Sequence, residues 1–230
     1  MSPEQVRLRY SEELEALERQ GLDGLDLVSA ALERTMEATE HQDVELAQLV
    51  IADDDRIDGR YLEVHQGILS LLARQAPVAT DLRLVAALLD MIKHVERMGD
   101  QCVNIAKVIP VTGHEPPTDR ALLETLGEMG KHSASLVEQS KHAFAERNVE
   151  LAQDLVTRDE AINRLQREAF RIAIEIGDDM DTREWAMTML LVARALERVG
   201  DNAVDIGEQT AFVVTGLFRE FTDASHPAGV

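Results

Sequence analysis

Basic residues are scarce in this chain. Its 230 residues include 23 Lys and Arg against 43 Asp and Glu, a formal net charge of −20 with histidine neutral. Nucleic acids are held mainly by Lys and Arg that neutralise phosphates, so no nucleic-acid partner is expected of so acidic a surface. An anionic membrane leaflet is disfavoured for the same reason. Aromatics are also few, with one Trp, two Tyr and five Phe. Strands favour aromatic and β-branched side chains, so this shortage tilts the chain toward helix. The single cysteine, Cys102, has no internal disulfide partner, which suits a reducing compartment. No apolar run approaches the roughly 18 residues of a membrane span. The longest, from Ala186 to Leu196, is interrupted by Thr188 and Arg194, so direct membrane insertion is not expected. The start, Met1-Ser2-Pro3-Glu4-Gln5, lacks the basic and apolar regions of a secretory leader, and a cytoplasmic location is expected.

Apolar residues, at 45%, suffice for a real core, and the length admits one large domain or two of roughly half that size. Internal similarity decides between them. Val44-Glu45-Leu46-Ala47-Gln48 recurs as Val149-Glu150-Leu151-Ala152-Gln153, at an offset of 105. The register continues through Asp54 and Asp159, Ile57 and Ile162, Asp58 and Asn163, and Glu63 and Glu168. Further on, Glu96-Arg97-Met98-Gly99-Asp100 recurs as Glu197-Arg198-Val199-Gly200-Asp201, now at offset 101. A loop-length difference of four residues between Glu63 and Glu96 is expected. Pro and Gly concentrate between the copies, so the chain divides into a first unit over 1–109, a linker over 110–117, a second unit over 118–221 and a frayed tail over 222–230.

Turn signals cut each copy into three long segments. Ser2, Pro3 and Gln5 read as N-cap, first helical residue and capping-box partner, opening a helix that runs to about His41 with an interruption near Gly21 and Gly24. A second helix spans about Val44 to Arg74, and a third about Asp81 to Val108. Asp181-Thr182-Arg183-Glu184 reads as a capping box starting the last helix. Apolar residues recur at three and four, as in Leu84, Leu88, Met91, Val95, Met98 and Cys102. The expected fold is all-α: six helices as two tandem, pseudo-symmetric three-helix bundles, with neighbouring helices antiparallel.

That geometry gathers carboxylates. Glu96 and Asp100 stand four apart, as do Glu197 and Asp201, and on a helix this spacing stacks like charges about 5–6 Å apart, which destabilises. Asn104 and Asp205 extend each stripe by a turn. In an antiparallel hairpin turning near Val78, Asp54 and Asp58 fall at the depth of Glu96 and Asp100. The second copy sets Asp159 and Asn163 beside Glu197 and Asp201 by the same count. Gly99 and Gly200, mid-helix and matched, each cost about 1 kcal/mol relative to Ala, which points to a neighbouring backbone or ligand passing close. The clusters have two readings: a solvated acidic face partly neutralised by Arg97 and Arg198, or a pair of cation sites. Hard carboxylate oxygens suit magnesium and manganese and also hold iron or zinc. None of the seven histidines follows a Glu by three residues, which argues against a ferritin-like di-iron oxidase. Cys102 and Trp185 read as core residues. A metal-dependent carboxylate-bundle enzyme and a metal-free helical scaffold are the rival functions, although the sequence offers no dedicated acid, base or nucleophile.

The duplicated three-helix unit, with Val95-Glu96-Arg97-Met98-Gly99-Asp100 and Leu196-Glu197-Arg198-Val199-Gly200-Asp201 in its third helices, resembles the PhoU family from about residue 8 to 217. Gln101-Cys102-Val103-Asn104-Ile105-Ala106 is similar to the family's extended motif. The resemblance implies a non-enzymatic, commonly dimeric cytoplasmic regulator of phosphate uptake. Such a protein is accessory to the phosphate ABC transporter and its ATPase subunit, linked to a sensor histidine kinase, and repressive toward phosphate-starvation genes when phosphate is plentiful. It also implies metal clusters, of iron or zinc in some members, on the acidic motifs. By this resemblance those motifs fall on Glu96 and Asp100 and on Glu197 and Asp201. Asn163, where the first copy has Asp58, departs from the pattern and implies a weaker second site.

Overall fold

The computed structural model describes residues 3–113, 116, 118–177 and 179–221. The expected N-cap at Ser2 and the tail over 222–230 lie outside the described residues. Among the described residues there is no strand. Helix α1 spans Pro3–His41, α2 Val44–Asp53, α3 Asp55–Arg74 and α4 Ala79–Val108, followed by a 3-10 turn over Ile109–Thr112. The second copy comprises α5 at Arg120–Glu146, α6 at Val149–Glu175 and α7 at Met180–Thr215. Six helical rods therefore form two three-helix bundles, as expected from the patterning, with the second rod broken at Asp54 into α2 and α3. The break is a local tightening: the Asp54 carbonyl accepts from the Ile57 amide at 2.8 Å and from the Asp58 amide at 3.1 Å.

The repeat is carried down to the caps. Leu46 N donates to Asp43 Oδ1 at 2.9 Å, and Leu151 N donates to Asn148 Oδ1 at 3.0 Å, each satisfying an orphan amide of a first turn. The preceding helices end alike. Gln42 (φ 53°) and Arg147 (φ 55°) adopt the left-handed conformation, and the next amides return to Ala38 and Ala143 at 2.9 Å.

Three details depart from the sequence reading. Helix α1 runs unbroken through Gly21 and Gly24, which admit α4 instead of ending the helix. A Cβ at Gly21 would lie 2.5 Å from Met91 Cε, and one at Gly24 would lie 3.0 Å from Val95 Cγ1. The last helix is capped by Asp179, whose Oδ2 accepts from Thr182 N at 3.0 Å, so Asp181 lies in the first turn and is not the cap. The change in offset is not a longer loop. Both connections, after Arg74 and after Glu175, run four residues, and the extra residues form a further turn of helix at the end of α3.

The buried apolar residues of both copies form one continuous cluster. Leu25, Val28, Leu32, Val64, Ile68 and Leu88 of the first bundle and Leu126, Met129, Phe144, Leu155, Ile162 and Leu196 of the second all belong to it. Two antiparallel seams join the bundles. Helix α1 crosses α5, with Lys141 Nζ on Asp26 Oδ1 at 2.5 Å and Arg147 Nη2 on Glu18 Oε1 at 2.7 Å. Helix α4 crosses α7, where His94 Nδ1 lies 2.8 Å from Asn202 Oδ1 and 3.3 Å from Asp205 Oδ2. The matched third helices thus form the centre, and their carboxylate stripes point outward against α2/α3 and α6.

Candidate functional site

In the first bundle the break at Asp54 sets its carboxylate against α4 at Gly99. A Cβ there would sit 3.2 Å from Asp54 Oδ1 and 3.0 Å from Ile57 Cδ1. The close neighbour at this glycine is thus not a passing backbone but two side chains, a carboxylate and the isoleucine beside it. Burial, and then the charges of Asp58, Asp100 and Asp55, push the Asp54 carboxyl up to about 6, against which Lys107 acts. Glu96 is raised by burial and by Asp100 and Asp58, with Arg97 opposing. The structure brings Asp54, Asp58, Glu96 and Asp100 together in one electrostatic patch.

The second bundle repeats the arrangement more tightly. Asp159 is only 8% exposed. Its Oδ2 accepts from Asn163 Nδ2 at 2.8 Å, and its Oδ1 is buried without a hydrogen-bond partner. A Cβ at Gly200 would lie 2.5 Å from that Oδ1. Burial first, then Asp201 and Glu197, push the Asp159 carboxyl up to about 6, while the Asn163 amide holds it down. Glu197 is also buried. Its Oε1 pairs with Arg194 Nη1, and its Oε2 has no partner. Burial and Asp201 raise Glu197 against the pull of Arg194. Burial likewise raises Asp201, with Arg194 opposing.

Two buried carboxylate oxygens without donors are costly in any protein. They fit a cation: the donor set is hard oxygen, the protein supplies too few N–H groups, and the glycine gives the Asp159 carboxylate the room to sit there. Asp159, Glu197 and Asp201 would hold it in the second copy, and Asp54, Asp58, Glu96 and Asp100 in the first. Among the described residues, however, no three His, Cys, Asp or Glu side chains are already arranged to hold one ion. The backbone supplies the register, and closing a shell requires carboxylate rotations.

The outlying candidates divide. Asn163 belongs to the second cluster through Asp159. Asp205 turns to His94 at the α4/α7 seam, and Asn104 donates to Gln101 Oε1 at 3.5 Å. Cys102 is buried, and burial pushes its thiol up to about 12, as befits a core residue. Sequence reasoning passed over Arg194, the internal counter-ion of Glu197. Its signal was the three-residue spacing to Glu197, yet the matching Lys93 pairs instead with Asp90 at 2.8 Å. It also passed over Glu208, a buried carboxylate that accepts from Phe221 N at 2.7 Å and that burial pushes up to about 7. Nothing in the sequence marks that residue, because its partner is the backbone of a segment folding back on α7.

Comparison with known proteins bears on the same helices. The family model for the PhoU domain matches twice, over residues 23–109 and 126–210. The phosphate-specific transport system accessory protein PhoU homolog of Clostridium acetobutylicum is 30% identical over 95% of this chain and 100% of that protein. PhoU homolog 1 of Thermotoga maritima is 31% identical over 93% of each. Among solved structures, the phosphate transport system regulatory protein PhoU from Streptococcus pneumoniae superposes with a TM-score of 0.82 at 26% identity, covering 91% of this chain and 99% of that one. PhoU from Pseudomonas aeruginosa also gives 0.82 at 26% identity, covering 90% and 100%.

Proposed function

Because the chain belongs to the PhoU family, we propose that it is a non-enzymatic regulator of phosphate uptake. In this reading it is a cytoplasmic adaptor between the ATPase subunit of a phosphate ABC transporter and a sensor histidine kinase, holding down the phosphate-starvation response when phosphate is plentiful. The supporting observation is the match of both copies to the family along nearly the whole length of relatives named for phosphate-specific transport. No helix among the described residues is long and apolar enough to cross a membrane, so contact with the transporter would run through a protein partner. A net charge of −20 favours basic partner surfaces, and charge complementarity chiefly speeds and selects the encounter. A homodimer is part of the same proposal.

The carboxylate clusters are proposed as cation sites, for iron, zinc, manganese or magnesium. Bound there, a cation supplies positive charge to carboxylates the fold has partly desolvated. The chain's own residues do the rest: Gly99 and Gly200 make room, Asn163 orients Asp159, and Arg194 balances part of the second cluster. Support comes from the two unpartnered oxygens of Asp159 and Glu197. Capture of the transporter ATPase and the kinase on the immobilised chain, under phosphate-replete conditions and reversed by salt, tests the adaptor reading. Failure to retain either partner refutes it.

A further inference from the structure

The geometry points to the groove along the α1/α5 seam as a docking site for an amphipathic, basic α-helix of another protein. The inference rests on the adaptor reading in taking the occupant to be a partner protein, and it places that partner on a face separate from the carboxylate clusters. The groove measures about 1490 Å³ and is lined from Asp26 to Glu40 on α1 and from Arg120 to His142 on α5. Leu32, Met36, Leu123 and Leu126 are among its apolar lining residues, and Gly127 also lines it.

The repeat shows how the groove arises. At the 105-residue offset, Gly127 and Gly130 of α5 stand where α1 has Leu22 and Leu25. Gly130 is explained within the chain, because a Cβ there would lie 2.7 Å from Met36 Cγ. Gly127 has no such explanation: it sits inside helix α5, and a Cβ there would meet nothing within 4 Å. A mid-helix glycine weakens its helix by about 1 kcal/mol relative to alanine. Its open side faces the groove, where a second helix can approach closely.

The rim selects the charge of that helix. Each base along it is already matched within the chain: Arg120 with Glu124, Lys131 with Glu128, and Lys141 with Asp26. Glu33 and Glu37 have no ion pair among the described residues, Glu138 has only His142 beside it at 3.8 Å, and Glu40 shares the field of Lys131. The excess is acidic, so a second copy of this chain, a nucleic acid or an anionic membrane is repelled. A helix with an apolar stripe flanked by Lys or Arg is complementary. The α1 wall spans about 21 Å at 1.5 Å per residue, room for a helix of roughly 14 residues.

The test uses the full chain and a fluorescein-labelled synthetic peptide of two Leu-Lys-Lys-Leu-Leu-Lys-Leu repeats, with Glu replacing Lys in the control peptide. Fluorescence anisotropy should show saturable binding of one basic peptide per chain and none of the acidic one. Gly127→Phe, which fills the open space at that position, and the triple variant Glu33→Gln/Glu37→Gln/Glu40→Gln should each weaken binding by about tenfold or more. The charge-matched control Glu45→Gln/Glu150→Gln/Glu184→Gln, away from the groove, should not. Equal affinity for the parent and Gly127→Phe, or equal loss in the control triple, overturns the inference, as does absence of saturable binding. The two readings fail separately. If Gly127→Phe still captures the transporter ATPase and the kinase, the groove is wrong and the adaptor stands. If the parent captures neither partner yet binds the peptide through Gly127, the adaptor is wrong and the groove stands.

Discussion

Replacing Asp159 by Asn should stabilise the metal-free protein. The carboxyl sits near 3.8 in an unfolded chain and at about 6 in the fold, raised chiefly by burial. A group raised in this way contributes stability that is fully present below the unfolded value and is lost as pH rises through the folded one. At about pH 8 the folded protein holds an ionised, poorly solvated Asp159 whose Oδ1 has no donor. At 1.36 kcal/mol per unit the ceiling is about 3 kcal/mol. Solvent screening at the outer end of the cluster reduces this to about 1–2 kcal/mol. The introduced amide keeps the acceptor for Asn163 Nδ2 and removes the charge. For a chain of this size the gain corresponds to a rise of about 3–6 °C in Tm. Thermal unfolding followed by circular dichroism, after chelator treatment, should show Asp159→Asn melting higher than the parent at about pH 8, with the gap narrowing as pH falls and closing only below about pH 4. Saturating Mn²⁺ should reverse the order, because a ligand that binds only the folded state adds stability as its concentration exceeds Kd. A variant that melts lower than the parent at pH 8 in chelator refutes the account of Asp159 as a strained, donor-poor carboxylate.

The two helix glycines should respond unequally to alanine. Gly99→Ala meets atoms at 3.0–3.2 Å and offsets that crowding with helix propensity, ending within about 1 kcal/mol of the parent, whereas Gly200→Ala displaces Asp159 Oδ1 from 2.5 Å and should lose more stability in urea titration. Equal effects would deny that Gly200 exists to seat that carboxylate. Phe144→Ala, at a fully buried position, should cost about 3–5 kcal/mol by the same titration. Cys102, buried and with its thiol pushed up to about 12, should resist iodoacetamide at neutral pH in the native protein and react fully once unfolded. Rapid native labelling would place it at an accessible surface.

Much of this molecule is written locally. The recurrence at Val44 and Val149 marks the starts of their helices, and the structure adds the short polar caps Asp43 and Asn148 just before them. The shared depth of Asp54 and Asp58 with Glu96 and Asp100, and of Asp159 with Glu197 and Asp201, follows from counting back across a short turn, but the seating of Asp54 against Gly99 and of Asp159 against Gly200 does not, because that count sets Asp54 opposite Cys102. Competition between neighbours is harder to read. Asp179 and Asp181 are equally good caps in isolation, and only the path of the chain out of Glu175 decides between them. Gly21 and Gly24 look like helix breakers until Met91 and Val95 are seen filling their places. The break at Asp54 lies within an acidic run that any exposed helix face tolerates. The seams between the bundles depend on contacts across more than a hundred residues, such as His94 with Asn202 and Lys141 with Asp26, and no local pattern encodes them. The α1/α5 groove is visible only when the two copies are compared and the loss of Leu22 and Leu25 equivalents on α5 is set against the packing.

Elemental analysis by mass spectrometry of protein purified without chelator tests most directly whether the duplicated carboxylates hold cations. The parent should carry bound metal in stoichiometric amount, and the variant Glu96→Gln/Asp100→Asn/Glu197→Gln/Asp201→Asn should lose it while retaining its helical circular dichroism. Equal metal content in the two proteins, or a parent that stays metal-free when supplied with iron, zinc and manganese, would contradict the assignment.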